Sequence, residues 1–116
     1  TYKRSSTFEI IAFLDVGCSH CRMACQKLGI NQKSGQKTPI NIFFSGEKMD
    51  IENFVHKYNG ANLNYFILDS ESTFIKYAGF QFPSIYLINP EGETIYHWVG
   101  EKMNYSALDY LLNLEE

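Results

Sequence analysis

Apolar residues fall along this chain in two patterns. Ile10-Ile11-Ala12-Phe13-Leu14 is an unbroken run, which suits a strand covered on both faces in the middle of a parallel sheet. The spacing predicts a strand over 8–16, ended by Gly17. From Ser19 the period changes: Cys21, Ala24, Cys25 and Leu28 recur at helical intervals, and Gly29 reads as the stop. A polar loop over 31–38 leads to a second strand at 40–44. Asp50 reads as an N-cap for a helix striped by Ile51, Phe54, Val55 and Tyr58, ending near Asn59-Gly60. A third strand is expected over 65–68, then a short helix capped by Asp69-Ser70 and running through Phe74, Ile75 and Ala78. Pro83 leads into a strand over 84–88, which the turn residues Asn89-Pro90-Glu91-Gly92 fold back onto a strand over 94–99. Tyr105, Leu108, Leu111 and Leu112 mark a final helix. Residues 1–7 are polar and peripheral.

The order β-α-β-α-β-α-β-β-α predicts one α/β domain over 1–116, a mixed sheet sandwiched by helices with a C-terminal antiparallel hairpin. Composition agrees. In 116 residues, 45% hydrophobic and 16% aromatic content supplies a real core. No run approaches the roughly 18 apolar residues of a membrane span. The chain begins at Thr1 and not at Met, so an upstream signal or anchor is compatible with it. Net charge is −3 with the ten basic residues scattered, which argues against a nucleic-acid partner.

The chemistry concentrates in Cys18-Ser19-His20-Cys21-Arg22-Met23-Ala24-Cys25, which holds all three cysteines. Cysteines so close together cannot staple distant parts of the domain, so they point to redox chemistry or metal binding. Two cysteines separated by two residues at a strand-to-helix junction suit thiol-disulfide exchange. Cys18 would sit at the helix N-terminus, where unpaired amides favour a thiolate, and act as nucleophile. Cys21, one turn inward, would resolve the mixed disulfide. His20 lies inside the motif, where its imidazole would favour the Cys18 thiolate and a more oxidising disulfide. Cys25 reads as a packed hydrophobe, with a third redox partner or a metal ligand as sharper alternatives. Trp98, His56 and His97 carry no motif.

With these residues in view, the chain resembles the thioredoxin-like superfamily, and within it the TlpA/ResA-like thiol-disulfide oxidoreductases. The resemblance runs from Phe8 onward. It rests on the strand leading into Cys18–Cys21, on Phe82-Pro83-Ser84-Ile85-Tyr86-Leu87-Ile88, and on the hairpin from Asn89 to Gly100. It implies a three-layer α/β/α sandwich with an inserted βα unit between 40 and 68. It also implies a cis Pro83 packed against the cysteines, and a Phe82 backbone that pairs with an extended substrate. The working group would be a redox-active Cys18–Cys21 disulfide, with no other cofactor and no resident metal. The chain departs from the family by placing Gly17 where an aromatic is usual and Ser19 where proline is usual. Ser19 adds an N–H and a hydroxyl beside the nucleophile, on the substrate-binding side. Ala12 stands where thioredoxins proper carry a buried acid.

The resulting expectation is a protein-disulfide oxidoreductase. It would act as a monomer on protein thiols or disulfides, alongside a redox partner protein. A bacterial, periplasmic or otherwise extracytoplasmic setting follows from the resemblance alone. Two other classes compete: a soft-metal (copper or zinc) binding or delivery module built on Cys18, Cys21 and Cys25, and a docking module whose cysteines do little.

Overall fold

The computed structural model of the chain describes residues 7–33, 38–68, 76 and 82–100. Its elements are β1 (Glu9–Phe13), α1 (Ser19–Lys33), β2 (Ile40–Phe44), α2 (Lys48–Lys57), a 3-10 turn (Gly60–Asn62), β3 (Asn64–Ile67), β4 (Ser84–Ile88) and β5 (Thr94–Val99). The five strands form one mixed sheet in the order β3-β2-β1-β4-β5. β1 pairs parallel with β2 and antiparallel with β4; β2 pairs parallel with β3, and β4 with β5 as an antiparallel hairpin. The unbroken apolar run at the start of the chain is therefore the central strand, and every residue of it is buried.

The topology determines where the helices go. Both parallel crossovers, β1 to β2 and β2 to β3, step the same way across the sheet. Right-handed connections then place α1 and α2 on the same face. Their apolar stripes, Cys21, Ala24, Cys25 and Leu28 from α1 and Ile51, Phe54 and Val55 from α2, meet Ile10, Ala12, Ile42 and Ile85 in one core. On the opposite face Ile11, Phe13 and Phe43 form a second cluster, lined by Phe66, Tyr86 and Ile88. Its rings stack in a row across three strands, Phe13 on Phe43 at 5.4 Å and Phe43 on Phe66 at 5.2 Å. At the end of the central strand Glu9 is buried on this side, accepting a 2.7 Å bond from Asn41 Nδ2. Of the helix expected over 69–78 only Lys76 is among the described residues, and it is helical; the helix expected over 105–112 lies outside them.

Several boundaries differ from the sequence reading, each for a local reason. The first strand is shorter than 8–16, because Asp15, Val16 and Gly17 leave the sheet to form the turn before α1. Gly29 does not stop α1, which runs on to Lys33. Gly29 is instead a point of close approach: a Cβ there would collide with the Asn59 carbonyl oxygen. α2 starts at Lys48 with Glu47 as its N-cap residue, so Asp50 lies in the first turn, where its charge still complements the helix N-terminus. The helix ends at Lys57 with Tyr58 as its C-cap, and Asn59 takes the left-handed conformation with φ 64°. β3 begins one residue earlier than expected. The hairpin follows the turn chemistry, with Gly92 at φ 88° and its N–H bonded to the Asn89 carbonyl at 2.9 Å.

Candidate active site

The site begins where β1 leaves the sheet. Leu14 N–H still reaches the Phe43 carbonyl at 3.0 Å, and the next residue reverses the chain. Asp15 holds that reversal twice. Its carboxylate accepts the Gly17 N–H at 2.8 Å, and its carbonyl accepts the Cys18 N–H at 3.1 Å. The Cys18 carbonyl then accepts the Arg22 N–H at 3.2 Å, so Cys18 stands immediately before the first residue of α1. From there its side chain faces the open end of the helix, where the first-turn amides lack helical partners. Ser19 follows, exposed, and then His20, half-buried.

The two cysteines of the motif differ in environment. Cys18 is half-buried, whereas Cys21 has no exposed surface and lies in the core. The Asp15 N–H points at Cys21 Sγ from 3.4 Å. Burial drives the Cys21 thiol well above the ordinary thiol range; the Asp15 N–H pulls it back a little, while the hydrogen bond with Cys18 and the charges of Cys18 and Asp15 push it further up. The two sulfurs are thus direct neighbours, one reachable and one held as a thiol.

The other half of the site comes from far along the chain. The Phe82–Pro83 peptide bond is cis, and the Phe82 carbonyl accepts the Cys18 thiol at 3.6 Å. Pro83 is buried and has no N–H; its carbonyl accepts the Gly100 N–H at 2.8 Å, tying the segment to the end of β5. Ser84, also buried, shares a 2.8 Å hydrogen bond with His97 Nε2, and the imidazole stacks on Tyr86 at 3.9 Å. Burial holds the His97 imidazole below its usual value. His97 had no assigned partner in the sequence reading. The only signal available was its hairpin register opposite Tyr86.

Cys25 is fully buried, and a Cβ added at Gly60 would lie 2.9 Å from its sulfur. Burial pushes its thiol up to about 12. It packs into the core one turn below Cys21 and faces away from Cys18, on the side of the helix that a packed hydrophobe would take. Among the described residues no three His, Cys, Asp or Glu side chains are arranged to hold a metal ion. A group that sequence reasoning missed lies on the outer flank of α1. Arg22 sits 6.0 Å from the centre of the Tyr58 ring, and Lys57 sits 5.6 Å from the same ring.

No family model matches the chain, and no curated protein matches it by sequence. Solved structures do match by shape. A secreted disulfide oxidoreductase of Mycobacterium tuberculosis, homologous to E. coli DsbE, superposes with a TM-score of 0.76 at 13% identity, over 93% of this chain and 81% of that one. The thioredoxin domain of a thiol-disulfide oxidoreductase from Bacteroides vulgatus gives 0.72 at 20% identity, over 93% and 81%. The exposed lipoprotein thioredoxin of Streptococcus pneumoniae gives 0.66 at 17% identity, over 92% and 84%. The fold is thioredoxin-like. In this thioredoxin-like frame the Cys18–Cys21 turn and the Phe82–Pro83 segment, 64 residues apart between Cys18 and Phe82, meet at one end of the central strand.

Proposed function

We propose that the protein is a thiol-disulfide oxidoreductase that exchanges disulfides with partner proteins through Cys18 and Cys21. The observation that carries this reading is the asymmetry of the two sulfurs. Cys18 is reachable at the head of α1, and Cys21 is buried beside it and held as a thiol. In the reductive direction the Cys18 thiolate attacks a substrate disulfide. A bond forms between Cys18 and one substrate sulfur, and the other leaves as a thiolate that takes up a proton. Cys21 then loses its proton and attacks Cys18 Sγ, which breaks the mixed disulfide and releases the second substrate thiol. Two protein thiols become one disulfide as one substrate disulfide becomes two thiols. Oxidation of a substrate is the same sequence reversed.

The proline segment supplies the docking edge. The Phe82 carbonyl, 3.6 Å from the Cys18 sulfur, is placed to accept the N–H of an extended substrate strand bonded to Cys18. Pro83 offers no N–H of its own there. Ser19, exposed on the first turn of α1, lies on the rim that the substrate crosses, and His20 lies between the two sulfurs in sequence. An extracytoplasmic, periplasmic-type location is part of this proposal. It draws on the structural neighbours described as secreted and as an exposed lipoprotein.

Equilibration in dithiothreitol buffers, with free thiols counted by mass, tests the reading. Cys18 and Cys21 are expected to form a reversible intramolecular disulfide while Cys25 stays free. A Cys21→Ser variant is expected to accumulate mixed disulfides at Cys18, and Cys18→Ser to form none. If Cys18 and Cys21 never pair, the proposal fails. The measured potential of the pair gives the direction of electron flow.

A further inference from the structure

The outer flank of α1 carries positive charge that no described residue pairs in a salt bridge. Arg22 follows Cys18 by four residues, which on a helix places it one turn along the same face. Its guanidinium lies 6.0 Å from the centre of the Tyr58 ring, and the Lys57 ammonium lies 5.6 Å from that centre. The ring itself is held firmly. Tyr58 caps α2 through a 3.0 Å bond from its N–H to the Phe54 carbonyl, and it packs on the Phe54 ring at 5.0 Å. Two exposed cations are thereby gathered about one half-buried ring from two different helices. Among the described residues no carboxylate forms an ion pair with either. Lys48, elsewhere on α2, does have one in Glu52 at 3.8 Å. The acid nearest the motif in sequence, Asp15, is committed to the turn before Cys18, where its carboxylate accepts the Gly17 N–H.

We propose that Arg22 and Lys57, seated on Tyr58, select substrate polypeptides that carry carboxylates beside the reacting cysteine. This rests on the exchange chemistry proposed for Cys18 and adds a substrate class to it. A substrate segment bonded to Cys18 must pass over the first turn of α1. Acidic residues a short distance along it meet two cations whose mutual repulsion an anion relieves. Such complementarity acts mainly on encounter and on choice among partners, and it weakens as salt rises. Met23, next to Arg22 and 55% exposed, offers an apolar contact on the same rim.

The test uses the reduced full chain and two short synthetic peptides. Each carries one cysteine blocked as a mixed disulfide with 2-mercaptoethanol, flanked by glutamates in one peptide and by lysines in the other. Release of peptide thiol is followed by chromatography, with hydroxyethyl disulfide as a small neutral substrate. The glutamate peptide is expected to react about ten-fold faster than the lysine peptide in low salt, with the ratio shrinking as salt is added. The double variant Arg22→Gln, Lys57→Gln is expected to bring the ratio close to one while reducing hydroxyethyl disulfide at the native rate. Equal rates for the two peptides in the native protein overturn the inference, as does a preference that survives in the double variant. A native protein that reduces hydroxyethyl disulfide yet treats the peptides alike removes the charge selection alone. One that reduces none of the three substrates removes the exchange reading on which the inference stands.

Discussion

Cys21 and Cys25 are four residues apart on one face of α1, both with no exposed surface, yet their surroundings differ. Cys21 touches the Asp15 N–H and the Cys18 thiol, so it belongs to the reactive turn. Cys25 touches the 3-10 turn at Gly60 and reaches neither. Replacing Cys25 by serine puts a hydroxyl into an apolar pocket, which costs about 1–3 kcal/mol where no partner is supplied. Cys25→Ser is therefore expected to lower the denaturation midpoint and leave the rate of disulfide exchange unchanged. Loss of exchange in a folded Cys25→Ser protein would give Cys25 a redox role. At this scale the sequence was informative. Spacing alone separated an outward Cys18 from an inward Cys21 and Cys25, because helical period dictates which positions share a face.

Glycine shows the limit of reading elements from spacing. Gly29 falls just after the last striped position of α1, where glycines commonly end helices, and so reads as a stop. The helix continues because Gly29 serves a neighbour distant in sequence: the Asn59 carbonyl lies where its side chain would be. Gly60 has the same role toward Cys25 and Val55. Alanine is the better helix former by about 1 kcal/mol, so propensity alone makes Gly29→Ala stabilising. The backbone contact reverses the sign. Overpacking of this kind costs about 1–3 kcal/mol or more, and pushing α1 away from the end of α2 disturbs the shared core. Gly29→Ala is expected to be destabilised by about 2 kcal/mol in urea titration, and a midpoint at or above the native one would contradict the contact. Elements whose apolar pattern is continuous, 40–44 and 84–88, were legible to the residue. The ends of α1 and α2 were not, because close packing and capping turns decided them.

For the whole molecule, the buried thiols make stability depend on pH in a definite direction. In the unfolded chain a thiol loses its proton near pH 8.5. In the folded, reduced protein Cys21 and Cys25 keep theirs to much higher pH, with Cys25 pushed up to about 12 by burial. Above the unfolded value the unfolded state therefore holds fewer protons than the native state, and stability falls as pH rises. The contribution is intact below about pH 8.5 and is lost progressively from there toward 12. Urea midpoints of the reduced protein are expected to drop over that window. Cys25→Ala should make the drop shallower by one thiol's share. An alkaline profile identical in the two proteins would mean that Cys25 ionises as it does in the unfolded chain.

The sequence by itself determined which cysteines stand together at one end of the site and the order of most elements. Two cysteines at helical spacing after an apolar strand can take few other arrangements, and hydrophobic period reports directly which residues face a core. Tertiary structure decided what meets what. Local pattern does not determine the contact of Cys18 with Phe82, or of Arg22 and Lys57 with one tyrosine. Each depends on strand order and crossover hand, which bring remote segments to the same end of the sheet. The Cys18 thiol has a carbonyl to bond only because the chain returns, 64 residues later, to set Phe82 against its sulfur.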